Sequence, residues 1–202
     1  QLRILLAEDA CDPLLVFGSG DGKVYAVDGT GHNRWTFEAG LPVYGSPLID
    51  GDTVFIGDNG GRLHALELES GALRWTFSRA DFSIECQPCR WGDRIVFGAW
   101  AGYLYALRRT DGGPEWHVPG PKSSDGQAAR YYAPADCSPV PLGDTLFVCD
   151  RGYLLGTFNR DGTAGKLVDT SVSAIAADPS RKYVYARTTD GREGGAGEEV
   201  RS

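Results

Sequence analysis

The 202-residue sequence is poor in the features that mark membrane, disulfide-rich and nucleic-acid-binding proteins. It has no run of about 18 apolar residues, so no segment is expected to span a membrane. Its five cysteines are an odd number and too few for a disulfide scaffold of this size. Acidic residues outnumber basic ones by 27 to 20, and no basic block interrupts that balance. Binding to nucleic acid through charge is therefore not expected.

The sequence also lacks methionine, and its first segment, QLRILLAED, lacks the length and cleavage site of a secretory signal. We therefore expect a processed product or a piece of a longer protein. A hydrophobic content of 42% with 23% charged residues is ordinary for a globular domain that folds in water. The compartment stays open between cytoplasm and periplasm.

What the sequence does contain is a repeat of about 40 residues. Glycines that close a short turn recur with spacings of 39, 41, 50 and 39 residues, at Gly22, Gly61, Gly102, Gly152 and Gly191. Two apolar runs flank each glycine, as in LLVFGSGDGKVYAV, and predict a strand, a tight turn and a second strand. A third run follows, as in LRWTFSR, and then a fourth that contains proline, as in IECQPCR. Four short antiparallel strands per repeat predict an all-β propeller built from four-stranded blades.

Ala, Ser or Asp, Gly and Trp recur at fixed offsets within the repeat. The second and third copies hold these residues at Ala65, Ser70, Gly71 and Trp75, and at Ala106, Asp111, Gly112 and Trp116. The pattern resembles the tryptophan-docking motif of the PQQ-like quinoprotein propellers, and the resemblance covers nearly the whole chain. The first copy, from Ala26 to Trp35, is one residue short, and the fourth has Gly156 and Lys166 in place of Ala and Trp.

The resemblance implies that Trp35, Trp75 and Trp116 are structural and fill the gap between neighbouring blades. Propellers of this family have seven or eight blades, whereas this chain provides about four and a half. We therefore expect residues 1–190 to form blades of a larger ring. Residues 191–202 are expected to form a polar, disordered tail.

The resemblance carries fold further than function. Enzymes of this superfamily bind a quinone beside adjacent cysteines and hold calcium with Glu, Asn and Asp, and this sequence has no Cys-Cys pair. We expect no catalytic residues, cofactor or metal site, and interpret the chain as a protein-binding scaffold or regulatory module. Non-enzymatic relatives include the outer-membrane-protein assembly lipoprotein and propellers attached to kinases, phosphoesterases or adenylating enzymes. The alternative is a fragment of a quinone (PQQ)-dependent dehydrogenase.

The CQPC segment has the spacing of half a zinc site or of a redox pair, but no second CxxC and no nearby His completes it. Cys86 holds the repeat position of Gly45 and Cys137, so a small buried residue in an innermost strand is the preferred interpretation. A pair formed by Cys86 and Cys137 across adjacent inner strands is a further alternative.

The spacing of 50 residues marks an insertion between the third and fourth blades, GPKSSDGQAARYYAPAD. Insertions in repeat proteins collect on the binding face. The insertion should lie near the turn residues Trp100 and Arg151. The predicted binding set for a protein or peptide partner is Trp100, Lys122, Arg130, Tyr131, Tyr132 and Arg151. The other interpretation is a mobile surface loop whose tyrosines pack against the propeller.

Overall fold

The computed structural model describes residues 13–121, 134, 137–180, 182–189 and 199–201. These residues form 18 strands in five antiparallel sheets, and no helix is found among them. In this described part, therefore, no helix is long and apolar enough to cross a membrane. The prediction of an all-β fold of four-stranded antiparallel blades is confirmed.

Each sheet is one blade, and its strands follow one another in space as they do in sequence. Blade 1 comprises β1 (Leu15–Gly18), β2 (Lys23–Val27) and β3 (Asn33–Glu38). Blade 2 comprises β4 (Leu48–Asp50), β5 (Thr53–Gly57), β6 (Leu63–Glu67) and β7 (Leu73–Phe77). Blade 3 comprises β8 (Cys89–Trp91), β9 (Arg94–Gly98), β10 (Tyr103–Arg108) and β11 (Pro114–Pro119).

Blade 4 comprises β12 (Val140–Leu142), β13 (Thr145–Cys149), β14 (Leu155–Phe158) and β15 (Ala164–Asp169). Blade 5 comprises β16 (Val172–Ala177), β17 (Tyr183–Thr188) and β18 (Glu199–Arg201). The strand β18 lies within the segment predicted as a tail and pairs with β17. Gly191 and the rest of that segment lie outside the described residues, so the proposed boundary at residue 190 stays a prediction.

The core lies between blades rather than inside any one of them, because successive side chains of a strand point to opposite faces of its sheet. In β5, Val54 and Ile56 pack in the apolar cluster shared with blade 1, whereas Phe55 packs in the cluster shared with blade 3. All three side chains are fully buried. A middle strand of a propeller is thus apolar on both faces, which explains why these runs do not alternate with polar residues.

The inner strands of blades 2, 3 and 4 are shorter than predicted, and each begins just after a proline. Pro47 and Pro88 immediately precede β4 and β8, and Pro139 immediately precedes β12. Proline has no N–H to donate to a strand ladder, so regular pairing starts at the next residue. Cys86 therefore lies ahead of its inner strand and not within it, which corrects the predicted position. Its Sγ accepts a hydrogen bond from the backbone N of Gly98 at 3.3 Å.

The three docking tryptophans occupy equivalent positions, as the motif predicts. Each lies on an outer strand and donates its indole N–H to a backbone carbonyl of the next blade. Trp35 reaches Leu68 at 2.8 Å, Trp75 reaches Arg109 at 3.2 Å and Trp116 reaches Arg160 at 3.1 Å. Trp35 is buried, with 7% exposure, and the other two are half-buried at the rim of the blades. The motif thus joins each blade to its neighbour.

Candidate protein-binding face

One end of the propeller carries two kinds of segment that meet there. The first is the tight turn that joins β1 to β2, β5 to β6, β9 to β10 and β13 to β14 in blades 1 to 4. The second is the link from an outer strand to the next inner strand. Hydrogen bonds join them: Val43 N donates to Ser19 O at 2.9 Å, and Trp100 N donates to Ser83 O at 3.0 Å. We call this end the link face.

The turns of blades 1 to 4 share one hydrogen-bonded geometry, which fixes equivalent positions independently of residue type. In blade 3 the turn runs from Ala99 to Tyr103, and Ala99 N donates to Tyr103 O at 3.0 Å. The matching bond in blade 4 joins Asp150 N to Leu154 O at 3.1 Å. The second residue of the turn is small or polar in blades 1 and 2. Across the four blades this position holds Gly20, Asn59, Trp100 and Arg151.

Trp100 and Arg151, two of the predicted binding residues, are brought together because they hold the same turn position in neighbouring blades. The guanidinium carbon of Arg151 lies 4.6 Å from the centre of the indole ring. A guanidinium stacked on an aromatic face is attracted by the ring quadrupole and is held in a defined orientation. The pair therefore presents an oriented cation beside an aromatic edge at the surface.

Tyr153 is a residue that the sequence analysis missed. It occupies the turn position that Gly22, Gly61 and Gly102 hold in the other blades, with a φ of 63°. The alignment had placed Gly152 there, so that assignment is corrected by one residue. For a bulky side chain this left-handed conformation costs about 1 to 3 kcal/mol. Nevertheless Tyr153 is 49% exposed, so packing of its ring within the blade does not account for this backbone conformation.

Two buried polar atoms at this place have no hydrogen-bond partner within the part of the chain that the structure describes. They are Nε1 of Trp100 and Oγ of Ser83, whose backbones are already bonded to each other. An unsatisfied buried donor costs about 1 to 3 kcal/mol. Together with Arg151 and Tyr153 they form what we call the tip cluster: Ser83, Trp100, Arg151 and Tyr153.

Exposed apolar side chains continue across the link face from the tip cluster. Phe82 is 48% exposed and, like Tyr153, has a left-handed backbone, with a φ of 65°. Leu41 holds the matching position in the preceding link and is also exposed, as is Tyr44 nearby. Exposed aromatic residues around a polar, charged centre are typical of protein interfaces.

The link face is supported by a buried polar network in the turn of blade 2. Asp58 is fully buried, and its Oδ1 accepts hydrogen bonds from the backbone N of Gly60 and Arg62. Its Oδ2 lies 2.6 Å from Arg62 Nε and 3.1 Å from His64 Nε2. Burial raises the pKa of Asp58, but these hydrogen bonds outweigh burial and hold it below its usual range. His64 is thus a packed strand residue with Asp58 as its partner.

The remaining predicted binding residues, Lys122, Arg130, Tyr131 and Tyr132, lie outside the described residues. Their assignment to a binding surface, like that of Trp100 and Arg151, stays a prediction. Tyr153 would have been found from the sequence by aligning the strand residues that flank each turn instead of its glycine.

A calcium and quinone site of the kind that the resemblance implies would need several acidic side chains close together. Within the described residues, no three His, Cys, Asp or Glu side chains are grouped so that they could hold a metal ion. The segments that precede the inner strands are joined instead by neutral groups. Gln87 donates its side-chain N–H to Pro47 O at 2.7 Å, and its backbone N donates to Ser138 Oγ at 3.1 Å. The residues present here suit packing better than binding of that cofactor.

With the blades and the link face in place, comparison with known proteins identifies the family. A family model described as outer membrane protein assembly factor BamB matches residues 11–192. The chain belongs to this PQQ-like β-propeller family.

Two curated relatives match parts of the chain. The outer membrane protein assembly factor BamB of Vibrio cholerae is 28% identical over 148 residues, which cover 70% of this chain and 38% of that protein. The beta-alanine-activating enzyme of Mus musculus is 30% identical over 105 residues, which cover 48% of this chain and 10% of that enzyme. The chain therefore spans well under half the length of either relative.

Solved structures share the fold at lower identity. BamB from Moraxella catarrhalis superposes with a TM-score of 0.70 at 19% identity and covers 93% of this chain and 54% of its own. The quinohemoprotein alcohol dehydrogenase ADHIIG from Pseudomonas putida superposes with a TM-score of 0.64 at 16% identity, over 88% of this chain and 39% of its own. At such identities the likeness concerns the fold alone.

Proposed function

We propose that the chain is a non-catalytic propeller module that binds another protein through its link face. The observation that carries this proposal is the pairing of Trp100 and Arg151 at equivalent turn positions, next to the junction where the repeat is about ten residues longer than elsewhere. Packing between blades requires neither feature, since blades 1 and 2 are built with Gly20 and Asn59 at that position.

The repeat register supports a place for Tyr132 on the same face. The carbonyls of Val43 and Ile84 lie 2.9 and 2.8 Å from where a Cβ would be on Gly18 and Gly57. Pro134 meets Gly98 in the same way. Counting back two residues from Pro134 gives Tyr132 the repeat position of the exposed Leu41 and Phe82 in the preceding links. We infer that Tyr132 contributes to the apolar surface of the link face.

The relatives support a binding or regulatory role for such propellers. One is named for assembling outer membrane proteins, and another is an activating enzyme of which the matched segment is a small part. In this proposal the remaining predicted residues, Lys122, Arg130 and Tyr131, belong to the same contact surface as Trp100. The partner is a protein or peptide, or a further domain of the same protein.

The test uses the purified chain as bait, followed by direct measurement with each partner that it retains. The variant with Arg130, Tyr131 and Tyr132 replaced by Ala should keep its Tm within a few degrees and lose binding in titration calorimetry. A second variant, Trp100→Ala with Arg151→Ala, tests the described residues in the same way. The control is Leu73→Ala, which alters an exposed apolar residue at the other end of the propeller.

Two results would contradict the proposal. One is retention of full affinity by both link-face variants, and the other is loss of affinity in Leu73→Ala. If the triple variant unfolds, the insertion is a structural cover, and the double variant then decides whether the turns bind the partner.

A fragment of a quinone-dependent dehydrogenase remains the second candidate. It is favoured by the fold shared with the quinohemoprotein alcohol dehydrogenase. Against it stand the missing Cys-Cys pair and the neutral groups around Gln87.

A further inference from the structure

We propose that Thr76, on the outer strand of blade 2, is a nucleophile that accepts an acyl group from an activated ester or thioester, with His64 as its base. This inference concerns covalent modification of the chain and does not depend on the proposed binding function. It rests on a relay of hydrogen bonds that connects the buried carboxylate of Asp58 to an exposed hydroxyl. A hydroxyl becomes a stronger nucleophile when an adjacent imidazole can take its proton.

The relay runs from the buried turn of blade 2 to the surface in two steps. Asp58 is fully buried, and its Oδ2 lies 3.1 Å from Nε2 of His64, which is also buried. The other ring nitrogen of His64, Nδ1, lies 3.1 Å from Oγ1 of the exposed Thr76. Acid, imidazole and hydroxyl therefore follow one another as they do in a Ser-His-Asp triad, with the roles of the two ring nitrogens exchanged.

The carboxylate decides which ring nitrogen of His64 carries the proton. An ionised carboxylate can only accept hydrogen bonds, so the neutral imidazole has to donate from Nε2. Its Nδ1 then presents a lone pair, and the Thr76 hydroxyl donates to it. Arg62, whose Nε lies 2.6 Å from the same carboxylate oxygen, favours the ionised form of Asp58. The hydroxyl proton therefore points at the base that removes it.

The propeller fold makes use of the acid of this relay but requires neither the imidazole nor the hydroxyl. Blade 4 has an equivalent buried acid, Asp150, which accepts hydrogen bonds from two backbone N–H groups of its turn as Asp58 does. The residue six positions after the acid is Gly156 in blade 4, and it pairs with Leu167. The turn and its strands are thus formed without a histidine or a threonine at these positions.

Blade 1 supplies an internal comparison for Thr76. Thr36 is an exposed residue of β3 and lies opposite Tyr25 in the strand register, whereas Thr76 lies opposite an imidazole. The Thr36 hydroxyl contacts the side-chain amide of Asn33 at 3.0 Å, and an amide does not take up its proton. Thr36 should therefore stay unmodified under conditions in which Thr76 is acylated.

In the proposed reaction, Thr76 Oγ1 attacks the carbonyl carbon of the donor while the hydroxyl proton passes to His64 Nδ1. The bond between the carbonyl carbon and the leaving group then breaks, and the leaving alcohol or thiol takes the proton from Nδ1. The product is an ester on Thr76, and neither an oxidant nor a reductant takes part. Phe37 packs on the imidazole, with ring centres 5.2 Å apart, and restricts its orientation.

The test incubates the purified full chain with p-nitrophenyl acetate and locates the acetyl groups by peptide mass spectrometry. The expected result is an early burst of about one equivalent of p-nitrophenolate, with acetylation of Thr76 far ahead of Thr36. Thr76→Val should abolish the burst at an unchanged Tm, because the residue is exposed, and Thr76→Ser should retain it. His64→Gln should slow acetylation of Thr76 about a hundredfold or more. Thr36→Val is the control and should react as the unchanged chain does.

Three results would overturn the inference: equal acetylation of the two threonines, acetyl groups on lysines alone, or a burst that persists in Thr76→Val. Unchanged acetylation of Thr76 in a folded His64→Gln chain would remove the role of the base. If that variant unfolds, the comparison of Thr76 with Thr36 decides, because both are measured in the same folded protein. A chain that is not acetylated can still bind a partner through the link face, so failure here leaves the proposed function standing.

Discussion

At the scale of single residues, the docking tryptophans link local chemistry to the stability of the propeller. The Trp75 ring lies against Gly112, where an added Cβ would come within 2.5 Å of the ring. Its N–H donates to Arg109 O at 3.2 Å. A half-buried residue at the rim of its blade therefore covers the edge of the next blade and satisfies a turn carbonyl there.

Replacing Trp75 by Ala should destabilise the chain by about 3 kcal/mol, because it removes this apolar contact and leaves a gap between blades 2 and 3. At about 2 to 4 °C per kcal/mol, the expected fall in Tm is about 6 to 12 °C. Differential scanning calorimetry measures it. Leu73→Ala is the control, since Leu73 lies on the same strand with 52% exposure. Equal effects of the two changes would show that the ring does not join the blades.

The pair of Asp52 and Arg74 makes stability depend on pH. Two hydrogen bonds from the Arg74 guanidinium, at 2.9 and 2.8 Å, hold the pKa of Asp52 at about 2. An unfolded aspartate titrates near pH 3.9, so the stabilisation is fully present above that pH and is lost as the pH falls toward 2. Asp52→Asn should lower Tm at pH 7 by an amount that shrinks between about pH 4 and pH 2.

Thermal melts of both proteins from pH 7 to pH 2 measure this difference. Glu69→Gln, an exposed acidic residue on the same end of the blade, serves as the control for the change in net charge. A difference in Tm between Asp52→Asn and the unchanged chain that stays constant down to pH 2 would show that the ion pair does not stabilise the fold.

The sequence predicted the docking residues but not the turn residue Tyr153. Tryptophan, alanine and glycine at fixed spacing identify a docking site because few other residues can form it. A left-handed turn position is usually marked by glycine, so Gly152 was assigned to it. Backbone hydrogen bonding decides otherwise, since Tyr153 N donates to Asp150 O at 3.0 Å, as Gly102 N does to Ala99 O.

At the scale of elements, the glycine of the outer turn in blades 2, 3 and 4 serves two purposes at once. Gly71 has a φ of 69°, and a Cβ added to it would lie 2.6 Å from the Trp35 ring. Gly51 has a similar φ of 61°, but nothing lies within 4 Å of such a Cβ. The two positions therefore separate the conformational reason for glycine from the packing reason.

Gly51→Ala should cost about 1 to 2 kcal/mol, the penalty of a left-handed conformation alone. Gly71→Ala should cost about 1 to 3 kcal/mol more, because the methyl group overlaps the indole and pushes blade 1 from blade 2. Urea denaturation gives both values from the shift in midpoint at constant slope. If the two variants unfold at the same midpoint, the tryptophan does not pack on this glycine.

The elements themselves were predictable in number and order, and least so in their limits. The apolar runs identified the second and third strands, since both their faces are buried between blades. The inner strands were expected to include the residues before each proline, but regular pairing begins only at Leu48, Cys89 and Val140. A periodic apolar pattern does not record where a missing N–H interrupts the ladder.

At the scale of the whole molecule, the blades explain both the stability of the chain and the location of its surfaces. Every described core cluster is shared by two neighbouring blades, so each blade depends on the next. Loop residues outside these clusters are released from that constraint and can vary. The tip cluster lies at one end of the strands, and we propose that a partner binds there and not along the blade faces.

The propeller fold is shared with enzymes that use a quinone, so binding of that cofactor is the property that best separates the two candidate functions. The described residues contain no group of three metal-binding side chains, and the segments before the inner strands are joined through the neutral side chains of Gln87 and Ser138.

We therefore expect no stoichiometric complex when the purified chain is titrated with pyrroloquinoline quinone and calcium. Gel filtration with absorbance detection separates bound from unbound quinone, and a quinoprotein dehydrogenase treated in parallel is the positive control. A red-shifted chromophore that elutes with the chain at one equivalent would favour the dehydrogenase fragment, because a binding module has no need of a redox cofactor.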